Sequence, residues 1–215
     1  MMGKPHNRRV PKLVPWCALA GALLCSWAAW ADHHEGGLGV PAGAYEVEPT
    51  HAYITFSYSH LGFSTPHLGF DRFAVDLDLD PADLARSSLS VIVDAASVDS
   101  RVAEFDDHLK GPDFFAVAEH PEIRFTSTAI EMTGATKANI TGDLTIKGVT
   151  KPVVLEARID KAAMHPMLKK PVVGVSAFGT LSRSAFGLGK YVPAVGDEVE
   201  LYITAELVKV DAPQE

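Results

Sequence analysis

Phe73-Ala74-Val75-Asp76-Leu77-Asp78-Leu79-Asp80 is the stretch whose reading decides the fold. Its apolar residues Phe73, Val75, Leu77 and Leu79 alternate with Asp76, Asp78 and Asp80. A period of two puts the apolar side chains on one face and the acids on the other, the pattern of an antiparallel strand with one dry and one wet side. The same beat recurs on either side of this stretch. It appears in Ile54, Phe56, Tyr58; in Leu89, Val91, Val93; in Ile123, Phe125; and from Ile140 through Leu144 to Ile146. It continues in Val153, Leu155, Ala157, Ile159, then from Val173 to Leu181, and ends in Val199, Leu201, Ile203, Ala205, Leu207. Turn signals such as Asp80-Pro81, Thr133-Gly134, Lys147-Gly148 and Val195-Gly196-Asp197 separate the runs. Roughly eight strands at this spacing predict an all-β sandwich or barrel. One segment departs, Arg101 to Lys110, where Val102, Phe105 and Leu109 stand at i, i+3 and i+7 behind Asp99 and Ser100. A short helix capped by those two residues and stopped by Gly111-Pro112 is expected there.

Upstream of the strands, Lys4, Arg8, Arg9 and Lys12 precede an apolar run from Leu13 to Ala29, followed by the small-x-small pattern Ala29-Trp30-Ala31. These are the parts of a secretory signal, and the run is short of the roughly 20 apolar residues of a spanning helix. Residues 1–31 are therefore expected to be cleaved, leaving a glycine-rich arm at 32–43 and a folded domain at 44–211. Leu24 is a poor neighbour for a lipidated Cys25, and Val10-Pro11-Lys12 does not suit a twin-arginine signal. Cys17 and Cys25 then leave with the leader, so the domain must be held by its core alone. The remainder has 15 Lys and Arg against 27 Asp and Glu, a net charge of −12. Nucleic acid would repel such a chain.

Catalytic patterns are weak. Gly174-Val175-Ser176-Ala177-Phe178-Gly179 has the wrong spacing for a nucleophile elbow and lies inside a strand pattern. Asp106, Asp107 and His108 are consecutive on the expected helix, where neighbours do not face one another. No H-E-x-x-H occurs. Cleavage after Ala31 would expose Asp32-His33-His34, whose amine, two amides and imidazole suit square-planar Cu(II) or Ni(II). The ten phenylalanines, most of them in or beside the alternating set, fit either a filled barrel or a hollow one.

From Tyr45 to Val210 the chain resembles the YceI-like family of exported, lipocalin-like polyisoprenoid-binding proteins. The resemblance is carried by Tyr45-Glu46-Val47-Glu48-Pro49-Thr50-His51, His60-Leu61-Gly62-Phe63-Ser64 and Gly69-Phe70-Asp71-Arg72-Phe73. Its most specific parts run from Asp107 to Phe115, from His120 to Thr128 and from Gly142 to Pro152, joined near the end by Arg183-Ser184-Ala185-Phe186-Gly187-Leu188. Ala52, Ala74 and Ser100 stand where family members commonly carry serine, glycine and threonine. The resemblance implies an extended eight-stranded antiparallel lipocalin-like barrel around an isoprenoid chain, in a periplasmic protein often found as a homodimer. It implies no catalytic residue and no cofactor, only a bound lipid, either a polyprenyl phosphate or an isoprenoid quinone, loaded by transient membrane contact. The residues expected at the ligand are Ile54, Phe56, Tyr58, His60, Phe63, Phe73, Val75, Phe114, Phe115, Phe125, Phe178, Arg183, Phe186 and Leu188. His60, Arg124 and Arg183 are head-group candidates by type. Strands of about ten residues would line a tunnel of ~33 Å, and twenty sequestered carbons would contribute ~16 kcal/mol gross. The competing function is a stress-protective or interaction protein that uses the barrel as a scaffold.

Overall fold

The structure, a computed structural model, describes residues 37–211. The expected leader, its cleavage after Ala31 and the amino-terminal metal site at Asp32, His33 and His34 lie outside the described residues. Ten strands follow in order: β1 (Gly43–His60), β2 (His67–Phe70), β3 (Phe73–Leu79), β4 (Ser88–Asp94), β5 (Val98–Asp99), β6 (Glu122–Met132), β7 (Lys137–Ile146), β8 (Val149–Met164), β9 (Pro171–Ser182) and β10 (Val195–Lys209). Among the described residues one α-helix, α1 (Ala103–Lys110), lies between β5 and β6.

Two of the ten strands are continuations. β2 and β3 pair with successive halves of β1 and are parted only by Asp71-Arg72. β4 and β5 pair with β3 and β2 in turn, parted by the 3-10 turn Ala95–Ser97. Both breaks are held in one place: Asp94 accepts from Arg72 Nε and Nη2 (2.9 and 2.7 Å) and from the Ala96 N–H that opens the turn. The result is eight strands running up and down, closed where β10 pairs with β1. This is the expected antiparallel barrel, with the expected number of strands. Closure removes the sheet edges that an open sheet would expose.

Along its axis the barrel has two different interiors. At the end where β1 starts, Tyr45, Val75, Leu79, Val173 and Leu207 are buried against one another. Tyr45 is 1% exposed, and its hydroxyl donates to the Pro41 carbonyl (2.7 Å). Leu38 and Val40, in the segment read as an arm, pack into the same cluster. At the opposite end a second apolar cluster runs from Leu68 and Val93 to Phe186 and Leu188 and takes in Leu109 of α1.

The helix begins at Ala103, later than the sequence pattern places it, with Val102 in the capping position. Ser100 still ties down this end, because its N–H and hydroxyl both donate to Asp106, at 2.6 and 2.5 Å. Those hydrogen bonds hold the Asp106 carboxyl below the usual carboxylate range. Phe105 and Leu109 turn toward the barrel, whereas Val102 faces outward.

Candidate functional site

The end of the barrel where β1 finishes and β10 begins encloses a cavity of about 270 Å³. Its wall is the inward phase of the strands: Ile54, Phe56 and Tyr58 on β1, Phe70 on β2, Val91 on β4, Phe125 on β6, Leu144 on β7, Leu155 on β8 and Leu201 on β10. Ile54, Phe56, Phe70, Val91 and Leu201 point inward yet remain only half-buried. Close-packed side chains would lose that surface; here it belongs to the cavity. Gly142 makes room for the wall, since a Cβ there would stand 2.3 Å from the Phe125 ring.

α1 and the loop after it roof the cavity with Phe105, His108, Leu109, Phe114 and Phe115. Phe70 contacts both Phe56 and Phe115, at centroid distances of 5.5 and 5.6 Å. The mouth lies where lining residues reach solvent, at His60, His108 and Tyr191. Phe114 joins two of these, with its ring 4.9 Å from His108 and 6.4 Å from Tyr191. Burial raises the Tyr58 phenol pKa, so this hydroxyl inside the wall stays neutral. At the other end of the barrel the cavity stops at the Tyr45 cluster, none of whose buried members lines it. The expected tunnel along the whole strand length is thus corrected to a blind pocket, because large side chains fill half the barrel.

Of the residues expected at the ligand, Ile54, Phe56, Tyr58, His60, Phe114, Phe115, Phe125, Arg183, Phe186 and Leu188 line this pocket. Four others do not. Phe63 sits on the β1–β2 hairpin and is 90% exposed. Val75 belongs to the Tyr45 cluster, and Phe73 packs between the two clusters. Phe178 is out of phase with the inward residues of β9 and lies on the outer surface, 4.9 Å from the Tyr202 ring.

The head-group expectations change as well. Arg183 is buried, and its guanidinium donates to the carbonyls of Gly196 (2.8 Å), Lys190 (3.0 Å), Val195 (2.9 Å) and Leu188. Its donors are spent on folding residues 187–196 around the mouth, and burial pulls its pKa down. Arg124 lies on the outer phase of β6, paired with Glu122. The pocket residues not expected at the ligand from sequence include Phe70, Leu155, Leu201, His108 and Tyr191. Leu155 and Leu201 share the inward phase already visible in the alternation, whereas the Asp71-Arg72 break shifts the phase between Phe70 and Phe73. Nothing in the local pattern marks His108 or Tyr191. Ser176 donates to Asp160 (2.5 Å) as an ordinary strand residue. Among the described residues, no cluster of three His, Cys, Asp or Glu could hold a metal ion.

Residues 45–207 match the family model of the YceI-like domain. The chain belongs to the YceI-like family. It is 37% identical to a UPF0312 protein of Azotobacter vinelandii over 192 residues, 89% of this chain and 95% of the relative. The YCEI protein of Campylobacter jejuni superposes with a TM-score of 0.65 at 31% identity, covering 71% of this YceI-like chain and 90% of that one. A polyisoprenoid binding domain from Saccharophagus degradans shares the fold, with a TM-score of 0.60, 9% identity, and 79% and 100% of the two chains covered.

Proposed function

We propose that this YceI-like protein binds the tail of a long-chain isoprenoid lipid in the blind pocket, carrying or storing it in the periplasm without catalysing a reaction. The observation that carries the reading is a pocket walled by aliphatic and aromatic side chains and closed at its floor by the Tyr45 cluster. Such a pocket favours an apolar ligand, and sequestering a hydrocarbon contributes ~0.8 kcal/mol per CH₂ gross. The description of the S. degradans neighbour as a polyisoprenoid binding domain supports the same class. At about 270 Å³ the pocket is just below the ~300–1,000 Å³ typical of ligand sites. A long chain would be enclosed only in part, with its polar end at the mouth. There it would meet His60, His108 and Tyr191, while Arg183 is held by backbone carbonyls and Lys190 is paired with Asp113, which favours a quinone or hydroxyl head over a phosphate.

Mass spectrometry of an organic extract of the purified protein tests this directly. A prenyl lipid recovered in stoichiometric amount is expected, and adding polyprenol to delipidated protein should raise Tm, because a ligand that binds only the folded state stabilises it. Protein that yields no lipid and gains no stability from polyprenol would refute the proposal.

A further inference from the structure

The mouth of the pocket is bordered by two loops, residues 60–67 between β1 and β2 and residues 187–196 leading into β10. Neither contains an aspartate or glutamate, in a chain with 27 of them. Both carry large apolar side chains into solvent: Leu61 is 51% exposed, Phe63 90%, Tyr191 54% and Val192 36%. Single exposed apolar residues are ordinary, but these are grouped. The Leu61 N–H donates to the Ala194 carbonyl (3.1 Å), joining one loop to the other, and His60 and Ser64 close the first loop on itself. Leu61 and Gly62 are held at φ 55° and 74°, so the turn that displays Phe63 is built from left-handed backbone. Beside Tyr191, the Lys190 ammonium lies 5.2 Å from the ring centroid. Tyrosine and lysine with their apolar bodies down and polar tips up are the side chains that settle at a bilayer interface. Glu104, Asp106, Asp107 and Asp113 lie on α1 and the loop after it, the third side of the mouth, where Asp113 pairs with Lys190.

We propose that the open end of the barrel docks on a phospholipid bilayer through these two loops, with Leu61, Phe63, Tyr191 and Val192 entering the interface and the pocket mouth held against the lipid. The proposal rests on the isoprenoid reading of the pocket, because a ligand insoluble in water reaches the mouth most readily from a membrane. Docking leaves the acidic helix side turned to water and the loops that carry no negative charge turned to the surface.

The test uses vesicles of phosphatidylethanolamine and phosphatidylglycerol and three variants of the full chain. All three native tryptophans precede residue 32, so Phe63→Trp adds a reporter that is read as the difference from the parent spectrum. Its emission should shift to the blue when vesicles are added. Leu61→Asn, which suits the left-handed backbone, and Phe63→Ser should each weaken vesicle co-sedimentation by about tenfold or more. Uptake of polyprenol from detergent micelles, with no bilayer present, should be unchanged in both. An unshifted emission from the Phe63→Trp reporter, or variants that sediment with vesicles as the parent does, would overturn docking. So would loss of a dimer in the variants with no vesicle binding by the parent, since the loops would then be a protein contact. If the parent takes no polyprenol from micelles, it is the reading of the pocket that fails, whatever the vesicles show.

Discussion

Arg183 lines the pocket, yet what it does there is internal. Four backbone carbonyls from residues 188–196 converge on its guanidinium. Removing it would leave them short of donors in a buried place, where each unmet group costs ~1–3 kcal/mol. Arg183→Met is expected to lower stability by about 3 kcal/mol or more by denaturant titration. Arg183→Lys should rescue little of this, because an ammonium cannot span a planar fork of acceptors. A head-group role for Arg183 predicts the opposite, namely weak lipid binding with stability intact. A second pair of substitutions separates cavity from packed core. Val75→Trp should overpack the Tyr45 cluster and cost ~1–3 kcal/mol while leaving extractable lipid at the parent level. Leu201→Trp enters open space, so after delipidation its Tm should stay close to that of the delipidated parent, while bound lipid falls sharply.

The elements show how far sequence carries and where it stops. The strands are readable because burial on one face forces the period-two beat, and the Lys147-Gly148 turn is readable because both residues adopt the left-handed backbone that a two-residue hairpin requires. Residue type alone misplaces Phe178, although its phase is opposite to that of Val173, Val175, Ala177 and Leu181 and is enough to put it outside. Val75 shows a deeper limit: alternation tells which face a residue occupies and nothing about its height along the barrel axis. His108 and Tyr191 are out of reach for a third reason, since the helix and loop that carry them to the mouth are placed by tertiary contacts. The 3-10 turn Arg183–Phe186 adds a pH test. Asp197 accepts from the Ser184 N–H and hydroxyl (2.8 Å each), and these bonds hold its carboxyl below the usual range. A lowered folded-state pKa gives stability that is fully present above the unfolded value of about 3.9 and lost as pH falls through the folded value. The Tm difference between the parent and Asp197→Asn should therefore be constant above about pH 5 and shrink on further acidification; a difference that does not narrow at all below pH 5 would contradict this account.

At the scale of the whole molecule, one half of the barrel provides stability and the other provides room. Because the floor is sealed by Tyr45 and its neighbours, a bound chain has one way in and the same way out. On the proposed reading an isoprenoid enters tail first, and its polar end is the last part to be admitted and the first to be presented. A donor and an acceptor would then use the protein in alternation, never together. Transfer between two vesicle populations should accordingly follow ping-pong kinetics, with parallel lines in a double-reciprocal plot. Lines that intersect would mean that donor and acceptor are engaged at once and that the barrel opens at its far end.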